Sequence, residues 1–183
     1  MDKIVFVTTN KGKMWEAVAI GKQYGIGFTQ DEYDAAEMQS NDLEKIAAKC
    51  AADAHAHIKK PLIVEDSGVF VEALGGFPGP YSAYVIKTIE IEGILKLMDG
   101  VGNRRAVMRS ALVFADGKRL KTFAGEVRGV IADNRRGVGG FGYDPIFIPN
   151  GWKKTFSEDT DYKLRVSHRA QSIRKFCEWY AKR

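Results

Sequence analysis

Apolar residues along the chain alternate between short continuous runs, amphipathic stretches and glycine-rich gaps. Ile4-Val5-Phe6-Val7 is an unbroken apolar run that gives way to Thr8-Thr9-Asn10, the pattern of a buried strand ending in a polar loop. From Lys13 to about Tyr24, Met14, Val18 and Ile20 recur at helical spacing, so the opening unit is strand, loop, helix. Residues 25–40 are mixed, with room for a short strand and a polar loop. Asn41 stands as a helix N-cap with Glu44 placed as in a capping box, and Leu43, Ile46, Ala47, Cys50 and Ala54 then share one helical face. Beyond Pro61, Leu62-Ile63-Val64 predicts a second buried strand that ends at Glu65-Asp66.

The second half alternates turns with β-rich segments. Gly75-Gly76-Phe77-Pro78-Gly79-Pro80 is an ordered turn, because neither helix nor strand tolerates that composition. A helix is predicted from Lys87 to Met98, and a long antiparallel hairpin over 105–132 with Asp116-Gly117 at its turn. Gly137 to Gly142 is another glycine-dense loop, followed by Pro145-Ile146-Phe147. Ser167 caps a last helix whose Ile173, Phe176, Cys177 and Tyr180 lie on one face. The fold class is α/β, with strands joined partly by helices and partly by hairpins, and there is no internal repeat or linker.

Composition narrows the class further. The chain has 183 residues, 45% of them hydrophobic and 28% charged, which excludes a disordered, collagen-like or disulfide-scaffold protein. No apolar run is long enough to span a bilayer, and the opening residues are too polar for a secretory signal. Cys50 and Cys177 are far apart and on apolar helical faces, so reduced core thiols in a cytoplasmic protein are expected. The net charge of +5 admits nucleic acid, an anionic membrane surface or a small polyanion as partner. The basic pairs are scattered, and charge alone does not choose among these.

Four segments could carry chemistry. Thr8-Thr9-Asn10-Lys11-Gly12-Lys13 joins a strand end to a helix start, where free amides, the helix dipole and Lys13 suit a phosphate. It is not a Walker loop, and an ordinary polar β–α connection has the same pattern. Glu65-Asp66-Ser67-Gly68 puts two carboxylates where oxygen ligands for Mg²⁺ are wanted, although Asp-Ser-Gly is also common turn chemistry. Gly139-Gly140-Phe141-Gly142-Tyr143-Asp144-Pro145 can present an aromatic face to a planar base, with Asp144 accepting from the base edge. Lys163 and Ser167-His168-Arg169 set cations at a helix N-terminus, an unfavourable placement unless an anion joins them. His55 and His57 point in different directions on a helix and form no metal pair.

In this order the four segments resemble the Ham1 family, the inosine and xanthosine triphosphate pyrophosphatases, over nearly the whole chain. Thr8 to Lys13 is similar to the family's [ST]xNxxK pattern. Glu65 to Gly68 with Ala73 to Ala83 resembles its DDSG…GxPGxYSA block, Phe141 to Phe147 its FGYDPxF block, and Ser167-His168-Arg169 its SHR. The resemblance implies an elongated mixed sheet flanked by helices, forming one domain over 1–183 with two lobes and a substrate cleft between them. It implies Mg²⁺-dependent hydrolysis of ITP, dITP and XTP to the monophosphate and pyrophosphate, by a homodimer, with neither nucleic acid nor membrane as a stable partner.

Residue by residue, the resemblance assigns the triphosphate to Thr8, Thr9, Asn10, Lys11, Gly12 and Lys13, with Lys13 also catalytic. Glu37, Glu65 and Asp66 become the metal carboxylates, and Asp66 the base that readies water. Lys49 and Ser67 contact substrate, Phe141 stacks on the base, and Gly142, Tyr143, Asp144, Lys163, His168 and Arg169 complete the pocket. Two departures stand out. Glu65-Asp66 replaces a common Asp pair, and the stretch from Thr155 to Lys163 is one residue short, with Leu164 in place of a frequent Asn. Two rivals are a Maf-like nucleotide pyrophosphatase of other specificity and a non-catalytic nucleotide or nucleic-acid binder.

Overall fold

The computed structural model describes residues 3–36 and 38–183, and Glu37, one of the expected metal carboxylates, lies outside the described residues. The strands are β1 (Lys3–Val7), β2 (Gly27–Asp31), β3 (Leu62–Val71), β4 (Pro78–Gly79), β5 (Arg105–Ala115), β6 (Leu120–Ile131) and β7 (Phe147–Pro149). The helices are α1 (Lys11–Gly21), α2 (Leu43–Ile58), α3 (Ser82–Thr88), α4 (Glu90–Leu97), α5 (Thr160–Val166) and α6 (His168–Tyr180). Among the described residues the strands form one seven-stranded sheet in the order β2-β1-β3-β5-β6-β7, with β4 paired to β3. The sheet is mixed: β1 runs parallel to β2 and β3, whereas β3–β4 and β6–β7 are antiparallel. The α/β class expected from the apolar pattern is the class observed.

The chain forms two compact units, and β3, β5 and β6 each pass from one into the other. The first comprises residues 1–66, 110–125 and 168–183. Its core gathers Ile4 and Phe6 of β1, Ala17 and Ile20 of α1, Ile63, Leu112 and Phe114 of the sheet, and Ile173, Phe176 and Cys177 of α6. The predicted shared face of α6 is therefore a packing face. Cys50 and Cys177 are free and buried, as expected, and burial pushes the Cys177 thiol up to about 12.

The second unit comprises residues 67–109 and 126–167. Val69 and Val71 of β3, Ile91 and Ile94 of α4, Met108 of β5 and Phe147 of β7 pack there with Tyr143, Ile146 and Phe156. Arg104 is held by three backbone carbonyls, those of Ile131, Ala132 and Met98, at 2.7, 2.7 and 2.8 Å.

Several local expectations are corrected. The cap of α2 is Asp42 rather than Asn41, because its carboxylate accepts from the amides of both Glu44 and Lys45. The helix predicted over 87–98 is two helices, α3 and α4, which divide at Ile89 and Glu90, where Glu90 takes φ 58°. The second buried strand does not stop at Glu65-Asp66 but continues to Val71, so both carboxylates sit inside a strand. The hairpin over 105–132 is present, with Asp116 accepting from the amides of Lys118 and Arg119 to tighten its turn.

Candidate active site

In the first unit, the polar segment after β1 is tied down by its own side chains. The amide of Thr8 donates to Asp31 O at 2.9 Å, extending the β1–β2 ladder by one bond. Thr8 Oγ1 accepts from the Asn10 amide, and Asn10 Oδ1 accepts from the Lys13 amide, both at 3.1 Å. Asn10 is thus the N-cap of α1, and Lys11, Gly12 and Lys13 form its first turn at the positive end of the helix dipole. Thr9 is exposed. A helix opening of this kind can receive an anion.

The Lys13 ammonium folds back on Glu65. It lies 2.9 Å from the Glu65 carboxylate Oε2 and donates at 2.9 Å to that residue's backbone carbonyl. Glu65 Oε2 also meets Arg169 Nε at 3.1 Å, while Oε1 accepts from the Ser110 hydroxyl at 2.7 Å. Ser110 donates to the carboxylate and Ser172 to the Arg169 carbonyl at 3.0 Å, with the two hydroxyl oxygens 2.9 Å apart. Arg169 in turn reaches Glu16 Oε2 of α1 at 3.0 Å.

Electrostatics favour the charged forms of Glu65 and Arg169. Burial alone would push the Glu65 carboxyl up, but the Arg169 and Lys13 cations, the Ser110 hydroxyl and His168 outweigh it and hold it well below the usual range. Burial would lower Arg169, and Glu65 and Glu16 more than offset that. Two cations thus face two carboxylates in a buried cluster. Asp66, the next residue on β3, is half-buried, and the two-residue period of a strand turns it to the face opposite Glu65. Lys49 is exposed on α2, and His168 is buried at the start of α6. His57 stacks on Tyr33 at 4.6 Å between ring centroids. Among the described residues, no group of three or more His, Cys, Asp and Glu could by itself hold a metal ion.

In the second unit, Lys163 and Asp144 form a buried pair at 2.6 Å, each side chain 4% exposed. Lys163 Nζ also lies 4.1 Å from the centroid of the Phe141 ring, and the Phe141 amide donates to Asp144 Oδ2 at 2.7 Å. Ring, cation and carboxylate are therefore held together as one structure. Gly140 makes this possible: its φ is 73°, and a Cβ there would fall on the Asp144 carboxylate. Tyr143 is buried and donates to the Ser82 carbonyl at 3.0 Å, and burial pushes its phenol up. It is a packing anchor for α3. Gly142 is half-buried with φ 60°, and Ser67 is half-buried on β3. The helix α5 that carries Lys163 was not predicted; Asp159 caps it through the Tyr162 amide.

Glu16, Ser110 and Ser172 belong to the buried network and were missed from the sequence. Glu16 had a readable signal: it lies one turn before Ile20, on the buried face of α1, and a charge there requires a partner. The two serines had none, because a buried serine in a strand or helix looks like any small core residue.

The Ham1 family model matches residues 4–179, and the chain belongs to the Ham1 family. A dITP/XTP pyrophosphatase of Methanopyrus kandleri is 50% identical over 180 residues, covering 97% of this chain and 96% of its own. One from Hyperthermus butylicus is 48% identical over 177 residues, with 96% and 93% covered. Among solved structures, the Staphylococcus aureus Ham1 protein superposes with a TM-score of 0.83 at 29% identity, covering 99% of each chain.

Proposed function

We propose that the protein is a nucleoside triphosphate pyrophosphatase that hydrolyses deaminated purine nucleotides, ITP, dITP and XTP, to the monophosphate and pyrophosphate. The observation that carries this reading is the end-to-end likeness to relatives named dITP/XTP pyrophosphatases. Membership of the Ham1 family disfavours the Maf-like reading, and the intact Lys13 and Asp66 speak against a silent binder. On this reading the chain is a single domain of two lobes. Thr8 to Lys13 and Lys49 are assigned to the phosphates, and Phe141, Asp144 and Lys163 to the base.

Phosphoryl transfer asks a protein mainly for positioning and charge neutralisation. Lys13 and the amides of the first turn of α1 supply both at the phosphate end. At the base end, Lys163 can donate to a 6-oxo group while the Asp144 carboxylate accepts from a protonated N1. Adenine reverses both groups, leaving a buried donor and acceptor unpaired. Tyr143, His168 and Arg169 support these positions from buried sites.

Asp66, a hard oxygen donor, fits Mg²⁺, which is commonly held by one or two carboxylates together with substrate phosphates. Glu37 is assigned to the same ion. When bound, the ion neutralises phosphate charge and acidifies water. Asp66 would take the proton of the attacking water. No helix among the described residues is long and apolar enough to cross a membrane, and we place the enzyme in the cytoplasm. Phe77, Tyr81, Tyr84 and Ile89 are exposed within residues 77–89, which supports a homodimer.

The reading is tested by ³¹P NMR of ITP incubated with the protein and Mg²⁺, with Asp66→Asn as control. Paired appearance of IMP and pyrophosphate, absent from the control, is expected. Formation of IDP and inorganic phosphate would refute it.

A further inference from the structure

We propose that Glu65 is a positioning residue that fixes the Lys13 ammonium and the Arg169 guanidinium, and is not a metal carboxylate. This rests on the pyrophosphatase reading above and revises the expectation that Glu65 and Asp66 are both metal carboxylates. Three observations carry it. Neighbouring residues of a continuous strand point to opposite faces, so Glu65 and Asp66 do not converge on one ion. Glu65 is 5% exposed, whereas Asp66 is half-buried. Both Glu65 oxygens are engaged, Oε1 by Ser110 and Oε2 by Lys13 and Arg169. A metal at Glu65 would have to displace two cations that already neutralise it.

The same contacts say what Glu65 does. The Lys13 ammonium donates to the Glu65 carbonyl and is ion-paired with the Glu65 carboxylate at 2.9 Å. Held at these two points, a flexible side chain becomes an oriented phosphate donor. Arg169, braced on its other side by Glu16, meets the same Glu65 oxygen as Lys13. The longer arm of glutamate, where the family commonly has aspartate, suits a carboxylate that must reach across to α1 and α6.

The test compares wild type, Glu65→Gln and Asp66→Asn by two measurements that need no turnover. Mn²⁺ affinity is read by EPR, and affinity for inorganic tripolyphosphate by calorimetry; KM and kcat for ITP are measured alongside. The proposal expects Glu65→Gln to bind Mn²⁺ within about twofold of wild type while losing roughly tenfold or more in tripolyphosphate affinity, with KM rising accordingly. Asp66→Asn should show the reverse, losing Mn²⁺ and keeping tripolyphosphate. Loss of Mn²⁺ affinity in Glu65→Gln equal to that in Asp66→Asn would overturn the proposal, as would unchanged tripolyphosphate binding. If Glu65→Gln does not fold, Glu65→Asp keeps the charge, shortens the arm and is judged by the same two affinities. Failure of wild type to turn over ITP would sink the functional reading but leave both affinities to decide this one.

Discussion

Lys13 and Glu65 lie fifty-two positions apart in sequence and meet twice, ammonium to carboxylate and ammonium to carbonyl, both at 2.9 Å. The contact joins the first turn of α1 to the middle of β3, and it turns a polar loop into a site with a fixed charge.

Removing that charge should cost catalysis far more than stability. Lys13→Met leaves Glu65 with Arg169 and Ser110, so the carboxylate stays satisfied. The expected loss in kcat/KM for ITP is about 10²- to 10³-fold, the usual effect of deleting a donor aimed at developing charge. Steady-state kinetics together with a melting curve check this; a large loss of stability with little loss of rate would contradict it.

Glu65 should also leave a signature in the pH dependence of stability. Its folded-state carboxyl is held below the ordinary value of 4.5, so the unfolded chain takes up the proton first. The stabilisation is present above that value and is lost as pH falls toward the folded one. Urea unfolding of wild type and Glu65→Gln should show a stability gap that is full at neutral pH and narrows steadily below about pH 4.5. A gap that stays constant down to pH 3 would mean that Glu65 is not held as its anion.

At the base end, Lys163→Met removes the buried donor while the Phe141 amide still holds Asp144. We expect kcat/KM for ITP to fall by roughly 5- to 150-fold, the worth of about 1–3 kcal/mol, with ATP turnover little changed. Comparing the two substrates on the variant is the check, and an equal fall for both would place Lys163 outside base selection.

Gly125 gives a packing prediction. A Cβ there would collide with the carbonyl of His168 and touch Gln171 Cβ at 3.0 Å. Gly125→Ala should therefore push the first turn of α6 outward and loosen Arg169 from Glu65. Thermal unfolding should fall, and tripolyphosphate affinity with it; a variant indistinguishable from wild type in both would show that α6 adjusts freely.

Much of this was legible in the sequence because the strands are apolar runs and the turns carry marked dipeptides. Asp116-Gly117 fixed the β5–β6 hairpin, and the apolar stripe of α6 pointed to the core it joins. The end of β3 was misread because Glu65 and Asp66 look like a stop, although each is tolerated within a strand, one by ion pairing and one by partial exposure. The pairing of Asp144 with Lys163 was foreseen only as membership of one pocket; their direct contact depends on how α5 returns to the glycine loop, which local periodicity does not carry. Glu16 and Arg169 are far apart in sequence, and only the packing of α1 on α6 makes them partners.

The central claim is selectivity for deaminated purine triphosphates, and one measurement tests it most directly. Pyrophosphate release with Mg²⁺ would be followed for ITP, dITP and XTP against ATP and GTP, and kcat/KM compared. The account predicts fast release from the first three, poor release from ATP, and discrimination against GTP as well. Equal turnover of ITP and ATP, or no pyrophosphate from any of them, would contradict it.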